Sequence, residues 1–343
     1  MHEKSKRTNI IIFWWSALGD SIVITPFLKN LKLNIENVQI TYVTWNLIWL
    51  HQINNVPYID KIIKIKISDI KSLINMFKIL LFGKTDFIVF DHSFYSFPIL
   101  KKYILSKLCI RAKSIIFDDI KYSKYFSKVF QWSTENVVTQ YKVIVEYIVW
   151  KEINFDDKLE LFIDMESEKW YINHLINTYC NFWDRKYIVH LWWENKRKVP
   201  WWTISRCWET SKWISLFKKI LTASNNSKIF IIWWKEDFQE IELHKKSFKW
   251  NQIINMAWKL TIEQSAELIN QWDIFISTDS WPMHIACALK KEQIALLSRW
   301  SHKIDPYIKH PIRRKETNLI QVEDVIEIIK SINIITKNKF LNI

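Results

Sequence analysis

The stretch from Asp273 to Leu297 reads DIFISTDSWPMHIACALKKEQIALL, and its periodicities decide the architecture. Asp273–Ser277 is a β-branched and aromatic run of strand length. Asp279 and Ser280 then supply turn chemistry, and Pro282 fits the first position of a helix, where its missing N–H is not needed. The spacing predicts a helix from Pro282 to Leu289 and a second strand over Gln293–Leu297. A strand, a helix and a strand in succession form a crossover unit, which joins parallel strands.

The same alternation extends outward in both directions. In the first half, strands are predicted over Asn9–Phe13, Val38–Thr44, Lys61–Ile65, Phe87–Asp91 and Ser114–Phe117. Helices are predicted over Ser21–Leu33, Ile70–Leu81, Tyr95–Ser106 and Val137–Val149. The pattern breaks at Leu161–Glu168, where DMESE interrupts it, and then restarts with the strand Lys186–Leu191. A helix over Ile214–Ala223, a strand over Lys228–Ile232, a helix over Asp237–Lys246 and a short strand over Gln252–Asn255 follow. Thr261 and Gln264 form a capping box at the head of a helix ending at Asn270. A last helix, Val322–Ile332, has the option of packing back on the first half. The reading is α/β, with two Rossmann-like doubly wound domains, residues 1–163 and 164–343, facing each other across a central cleft. Ligands of such sheets bind at the carboxyl ends of the strands.

The chain has 343 residues, 49% hydrophobic and 24% charged, enough for two cores. Cys109, Cys180, Cys207 and Cys287 show no metal-ligand spacing and read as reduced thiols of a cytoplasmic protein. No apolar run reaches the ~18–20 residues of a membrane span. The net charge of +14 is spread as solvated lysines along the chain, with no block of five. It also suits a peripheral contact with an anionic membrane surface at its inner face. No helix-turn-helix, zinc finger or aromatic RNA-binding motif appears, so no nucleic acid partner is expected.

Glycine and tryptophan are out of proportion. About 24 glycines are expected at the usual ~7%; the chain has 2, with 21 tryptophans. The indoles fall in tight pairs, Trp14-Trp15, Trp192-Trp193, Trp201-Trp202 and Trp233-Trp234. Two of these pairs directly follow strand-like runs, where turns favour glycine. Many tryptophan letters therefore read as glycine encoded by UGA, a codon that some bacterial lineages assign to glycine. Trp201 and Trp213 are left as candidates for true tryptophan.

Three sites of chemistry stand out. Ser16-Ala17-Leu18-Gly19-Asp20-Ser21 follows the first strand and places the Asp20 carboxylate at a strand-to-helix turn, as a base or as an N-cap. Ser277–Ala286 presents Asp279, Ser280, Trp281, Met283 and His284 at a helix start whose free amides form an anion site suited to a diphosphate. His284 reads equally as a core histidine. Asn195-Lys196-Arg197-Lys198-Val199-Pro200 adds a basic segment.

With glycine at 258 and 281, the strings NMAGKLT and DIFISTDSGPMHIA resemble the donor-binding signature of the heptosyltransferases, glycosyltransferase family 9. Phe230–Asp237, read as FIIGGKED, and the segment from His190 to Pro200 resemble the family too. The family places a phosphate-binding Lys three residues before the proline; Arg197 stands there here, and Val199 replaces a Trp. Arg pairs with phosphate as well, and Lys196, Arg197 and Lys198 all remain candidates. The matches run from residue 10 to about 300 and are weakest over 66–135, where the family binds its acceptor.

The resemblance implies a GT-B fold and an inverting, metal-independent glycosyltransferase, with no cofactor. Its donor is an ADP-heptose-like nucleotide sugar, and its acceptor is a cell-surface glycan or glycolipid of lipopolysaccharide biosynthesis. It assigns Asp20 as the catalytic base. Lys196, Arg197, Lys198, Asp279, Ser280, Trp281, Met283 and His284 are assigned to the donor. The alternatives are a nucleotide-sugar epimerase of the same fold, an inactive nucleotide-sugar binder or a nucleic-acid binder.

Overall fold

The computed structural model describes residues 7–14, 18–44, 50–66, 69–90, 99–108, 111–117, 120–130, 136–191, 207–232, 252–299, 301 and 304–341. The chain divides into two compact units, Met1–Phe162 and Ile163–Ile343.

The first unit is a six-stranded parallel sheet: β1 (Thr8–Trp14), β2 (Val38–Thr44), β3 (Lys61–Lys64), β4 (Phe87–Phe90), β5 (Lys113–Phe117) and β6 (Lys128–Phe130). Their spatial order is β3-β2-β1-β4-β5-β6. The described helices are α1 (Leu18–Val23), α2 (Thr25–Asn34), α3 (Leu50–Asn54), α4 (Ile70–Phe82), α5 (Ile99–Leu108) and α6 (Val137–Val149). Residues two apart share a face of a strand. Ile11 and Phe13 of β1 join Ile88 and Phe90 of β4 in one buried cluster. Ile10, Ile12 and Val89, on the alternate positions, are buried as well. Burial on both faces is why these strands read as continuous apolar runs.

The second unit repeats the plan. It holds β7 (Arg185–His190), β8 (Ser227–Ile232), β9 (Ile253–Asn255), β10 (Ile274–Thr278), β11 (Gln293–Ser298) and β12 (His310–Arg314). Their order is β12-β11-β10-β7-β8-β9. Counted from its own first strand, each sheet has the 3-2-1-4-5-6 order of the Rossmann fold. The described helices here are α7 (Lys169–Tyr179), α8 (Thr210–Ala223), α9 (Ile262–Asn270), α10 (Trp281–Ala288) and α11 (Val322–Leu341). Val322, Val325, Ile329 and Ile332 of α11 lie in the core of this second unit, with Trp213, Leu216 and Ile220 of α8. The helix predicted over 237–246 falls outside the described residues.

The sheets share a further device. Asp86, just before β4, accepts the Asn9 N–H of β1 at 2.8 Å. Asp273, just before β10, accepts the Lys186 N–H of β7 at 2.7 Å. Each carboxylate satisfies an amide at the amino end of a central strand. Asp273 therefore works at the end of the sheet opposite to the ligand-binding edge.

The single helix predicted over Ser21–Leu33 is two. Pro26 has no N–H for the Ile22 carbonyl, so the ladder is interrupted there. The Thr25 hydroxyl donates to that carbonyl instead, at 2.7 Å. At α9 the capping box is present as read: the Gln264 amide donates to Thr261 Oγ1 at 3.1 Å, and the Thr261 amide to Gln264 Oε1 at 3.0 Å. Among the described residues no helix is long and apolar enough to cross a membrane.

Candidate active site

Each sheet changes direction at its first strand. β1 lies between β2 and β4, and β7 between β8 and β10. A crevice opens at the carboxyl edge of such a strand, because the connections on its two sides leave in opposite directions.

In the first unit β1 leads toward α1, which carries Asp20 in its first turn. The Asp20 side chain is half-buried, while its neighbours Leu18, Gly19, Ser21, Ile22 and Val23 are buried. The turn is held from within: the Ser21 hydroxyl donates to the Leu18 carbonyl at 2.5 Å, and the Ile24 amide to the Asp20 carbonyl at 3.0 Å. A packed helix thus presents one carboxylate near the carboxyl end of the central strand.

In the second unit, β10 runs straight into the turn Asp279-Ser280 and then α10. Ser280 is the N-cap in extended conformation, Trp281 is the first helical residue and Pro282 follows it. The turn is closed by the Met283 amide on the Ser280 carbonyl at 3.1 Å and by the Ser280 hydroxyl on the Thr278 carbonyl at 3.2 Å. Asp279, Ser280, Trp281, Met283 and His284 are all buried. The structure therefore brings five of the sequence-predicted residues together on one strand-turn-helix. Lys196, Arg197 and Lys198 lie outside the described residues.

One residue was missed as a site residue. His190 is the last residue of β7 and is completely buried, beside Ser277 of β10 in the parallel register. Neither of its ring nitrogens, nor Ser277 Oγ, nor Thr278 Oγ1, has a hydrogen-bond partner among the described residues. Burial pushes the His190 imidazole down to about 3, so it is neutral at ordinary pH, with one ring N–H to donate and one nitrogen to accept. Buried polar groups are nearly always paired, because leaving one unmade costs about 1–3 kcal/mol. Four such atoms at the carboxyl edge of the two central strands mark a place built to receive polar groups. The signals in the sequence were a histidine after an apolar run, YIVH, and its place at the head of the segment to Pro200 that resembles the family.

Residues 185–324 match the family model of glycosyltransferase family 9 (heptosyltransferase). The match begins at the first residue of β7 and reaches the start of α11, so it takes in the whole second sheet with its Asp279–His284 turn. Lipopolysaccharide heptosyltransferase 1 of Campylobacter coli is 24% identical over 304 residues, covering 84% of this chain and 83% of that protein. The glycosyl transferase family 9 structure from Veillonella parvula superposes with a TM-score of 0.71 at 17% identity, over 95% of this chain and 97% of its own. The ADP-heptose lipopolysaccharide heptosyltransferase II of E. coli gives a TM-score of 0.67 at 14% identity, over 96% and 100%.

Two Rossmann-like units of one strand order are the GT-B fold that this chain shares with those structures. Over residues 185–324 the chain is thus similar to glycosyltransferase family 9, the heptosyltransferase family.

Proposed function

We propose that the chain transfers a heptose or related sugar from a nucleotide-diphosphate donor to a lipopolysaccharide core or another cell-surface glycan, with inversion and without a metal. The observation that carries the reading is the buried polar edge of β7 and β10, which ends in the N-terminus of α10. Amides at a helix start and neutral polar groups with no partner among the described residues suit a diphosphate and a sugar better than a cation. The relatives' names supply the finer expectation of an ADP-heptose-like donor and a lipopolysaccharide acceptor.

In this reading the acceptor oxygen attacks the anomeric carbon as the bond to the diphosphate oxygen breaks. Asp20 takes the hydroxyl proton. The nucleoside diphosphate leaves with the electron pair, and its growing charge is met by the α10 amides and by Lys196, Arg197 or Lys198. Such a single displacement inverts the anomeric centre. The enzyme works in the cytoplasm, where its +14 charge favours a membrane face that carries the acceptor.

The test is a panel of ADP-, UDP- and GDP-sugars given to the protein purified from its own cells, with and without a lipid-linked acceptor. Release of nucleoside diphosphate that needs the acceptor and survives a chelator is the expected result. A change in the free donor without acceptor would mean an epimerase and would overturn the reading.

A further inference from the structure

We propose that the native protein carries glycine at positions 150, 258 and 281, because its cells read UGA as glycine, and tryptophan at 213. The backbone now supports, position by position, what composition suggested only in bulk.

Among the described residues, four non-glycine residues have positive φ: Asn37, Trp150, Trp258 and Lys290. Two of these four are tryptophans. Asparagine enters this region readily; a bulky aromatic is a true outlier there. Neither outlier is in an arbitrary place. Trp150 is the C-cap of α6, with φ 58° and ψ 32°. A left-handed residue at the end of a helix is usually glycine. Trp258 has φ 63°, and the Lys259 amide donates to the Met256 carbonyl at 3.0 Å around it. It thus holds the third position of a hydrogen-bonded turn, where types II and I′ require positive φ and favour glycine.

Both side chains are largely in solvent, although the Trp150 ring lies 5.6 Å from that of Tyr147 and 4.9 Å from Lys113 Nζ. Trp150 is 71% and Trp258 69% exposed. Trp213 is the opposite case: fully buried in α8, with its ring 4.8 Å from Trp208 and 6.1 Å from Phe217. A glycine there would empty the core, and one inside a helix is unfavourable in itself. Meanwhile no written glycine has positive φ. Gly83 ends α4 at φ −71°, held to glycine by the closeness of the Ile79 carbonyl. Trp150 and Trp258 thus stand where the backbone favours glycine, while Gly83 and Trp213 suit their places, as a codon misread at some positions only would leave them.

Position 281 rests on the proposed function. It is the first residue of α10, at the edge assigned to the diphosphate, and its side chain is buried. Glycine there leaves the phosphates room to approach the backbone amides.

The experiment is peptide mass analysis of the protein from its native cells, together with the codons of its gene. Glycine at 150, 258 and 281 from UGA, and tryptophan at 213 from UGG, is the expected result. Tryptophan at 150 and 258 overturns the recoding. Glycine at those two with tryptophan at 281 overturns the assignment at 281 and, with it, the placement of the diphosphate. Glycine at all three in a protein inactive on the donor panel leaves the recoding standing and sinks the transferase reading alone.

Discussion

His190 of β7 stands beside Ser277 of β10 in parallel register, and both side chains are completely shielded from solvent. A neutral imidazole and a hydroxyl therefore meet at the carboxyl edge of the second sheet. Burial holds the imidazole at about 3, against about 6.5 for a free histidine. Above pH 6.5 neither the folded nor the unfolded chain binds this proton, and the group is silent. As pH falls from 6.5 toward 3, the unfolded chain takes the proton and the folded chain does not. Stability then drops by about 1.4 kcal/mol per pH unit. Urea unfolding at pH 6.5 and pH 5 should show the parent losing about 2 kcal/mol more than His190→Gln. Equal losses in the two proteins would place the imidazole in water.

Asp20→Asn keeps the shape of the α1 turn and removes the base. Turnover should fall by about 10²–10⁴ while the donor KM stays within about twofold. Steady-state kinetics at saturating acceptor separate the two constants. Equal loss of donor binding and turnover would assign Asp20 to the donor instead.

The basic segment can be sorted by three single changes, Lys196→Ala, Arg197→Ala and Lys198→Ala. Removing the residue that pairs with phosphate should weaken nucleoside diphosphate binding by roughly 10- to 100-fold, the worth of one charged hydrogen bond. The other two should change it little. Calorimetric titration with ADP at two salt concentrations identifies the residue, and three equal small effects would deny a specific phosphate partner.

Lys29 ties α2 to the segment that closes the first unit. Its Nζ lies 2.8 Å from both Asp156 and Glu160, and the Tyr58 hydroxyl donates to Glu160 at 2.7 Å. Hydrogen bonding to Asp156 and Glu160 raises the Lys29 ammonium above its usual range, and Lys29 in turn lowers the Asp156 carboxyl. Lys29→Met should destabilise the protein by about 1–3 kcal/mol, since two half-buried carboxylates lose their cation. The depressed Asp156 carboxyl contributes stability above the usual carboxylate range that is lost as pH falls through it. The parent and variant should therefore converge in acid, as chemical unfolding at pH 7 and pH 3 would show.

The sequence was most legible where burial and local chemistry agreed. Val38–Thr44 and Val137–Val149 were read to the residue, the one as a β-branched and aromatic run, the other as a helical stretch whose Val137, Tyr141, Ile144 and Ile148 the structure buries on one face. It was least legible where one of the two was missing. β12, HPIRR, is an edge strand with a proline and two arginines, and it takes its place from pairing with β11 rather than from its own pattern. α7 has an apolar stripe at Ile172, Leu175, Ile176 and Tyr179 but fully buries only Ile172, and it lies in the stretch after the DMESE break where no element was read. In the site, the Asp279–His284 turn declared itself because strand, turn and helix lie in one stretch. His190 did not, because its meaning depends on a neighbour 87 positions away in sequence, Ser277.

All six strands of the first sheet lie before Phe162, and every strand pairing in both sheets is parallel. Parallel pairs bring distant residues together and form slowly. The order of synthesis offsets this: the first sheet has its full set of strands while the second is still being made on the ribosome. The growing chain thus faces two small searches in turn instead of one large one, and β7 need never compete for a place beside β1.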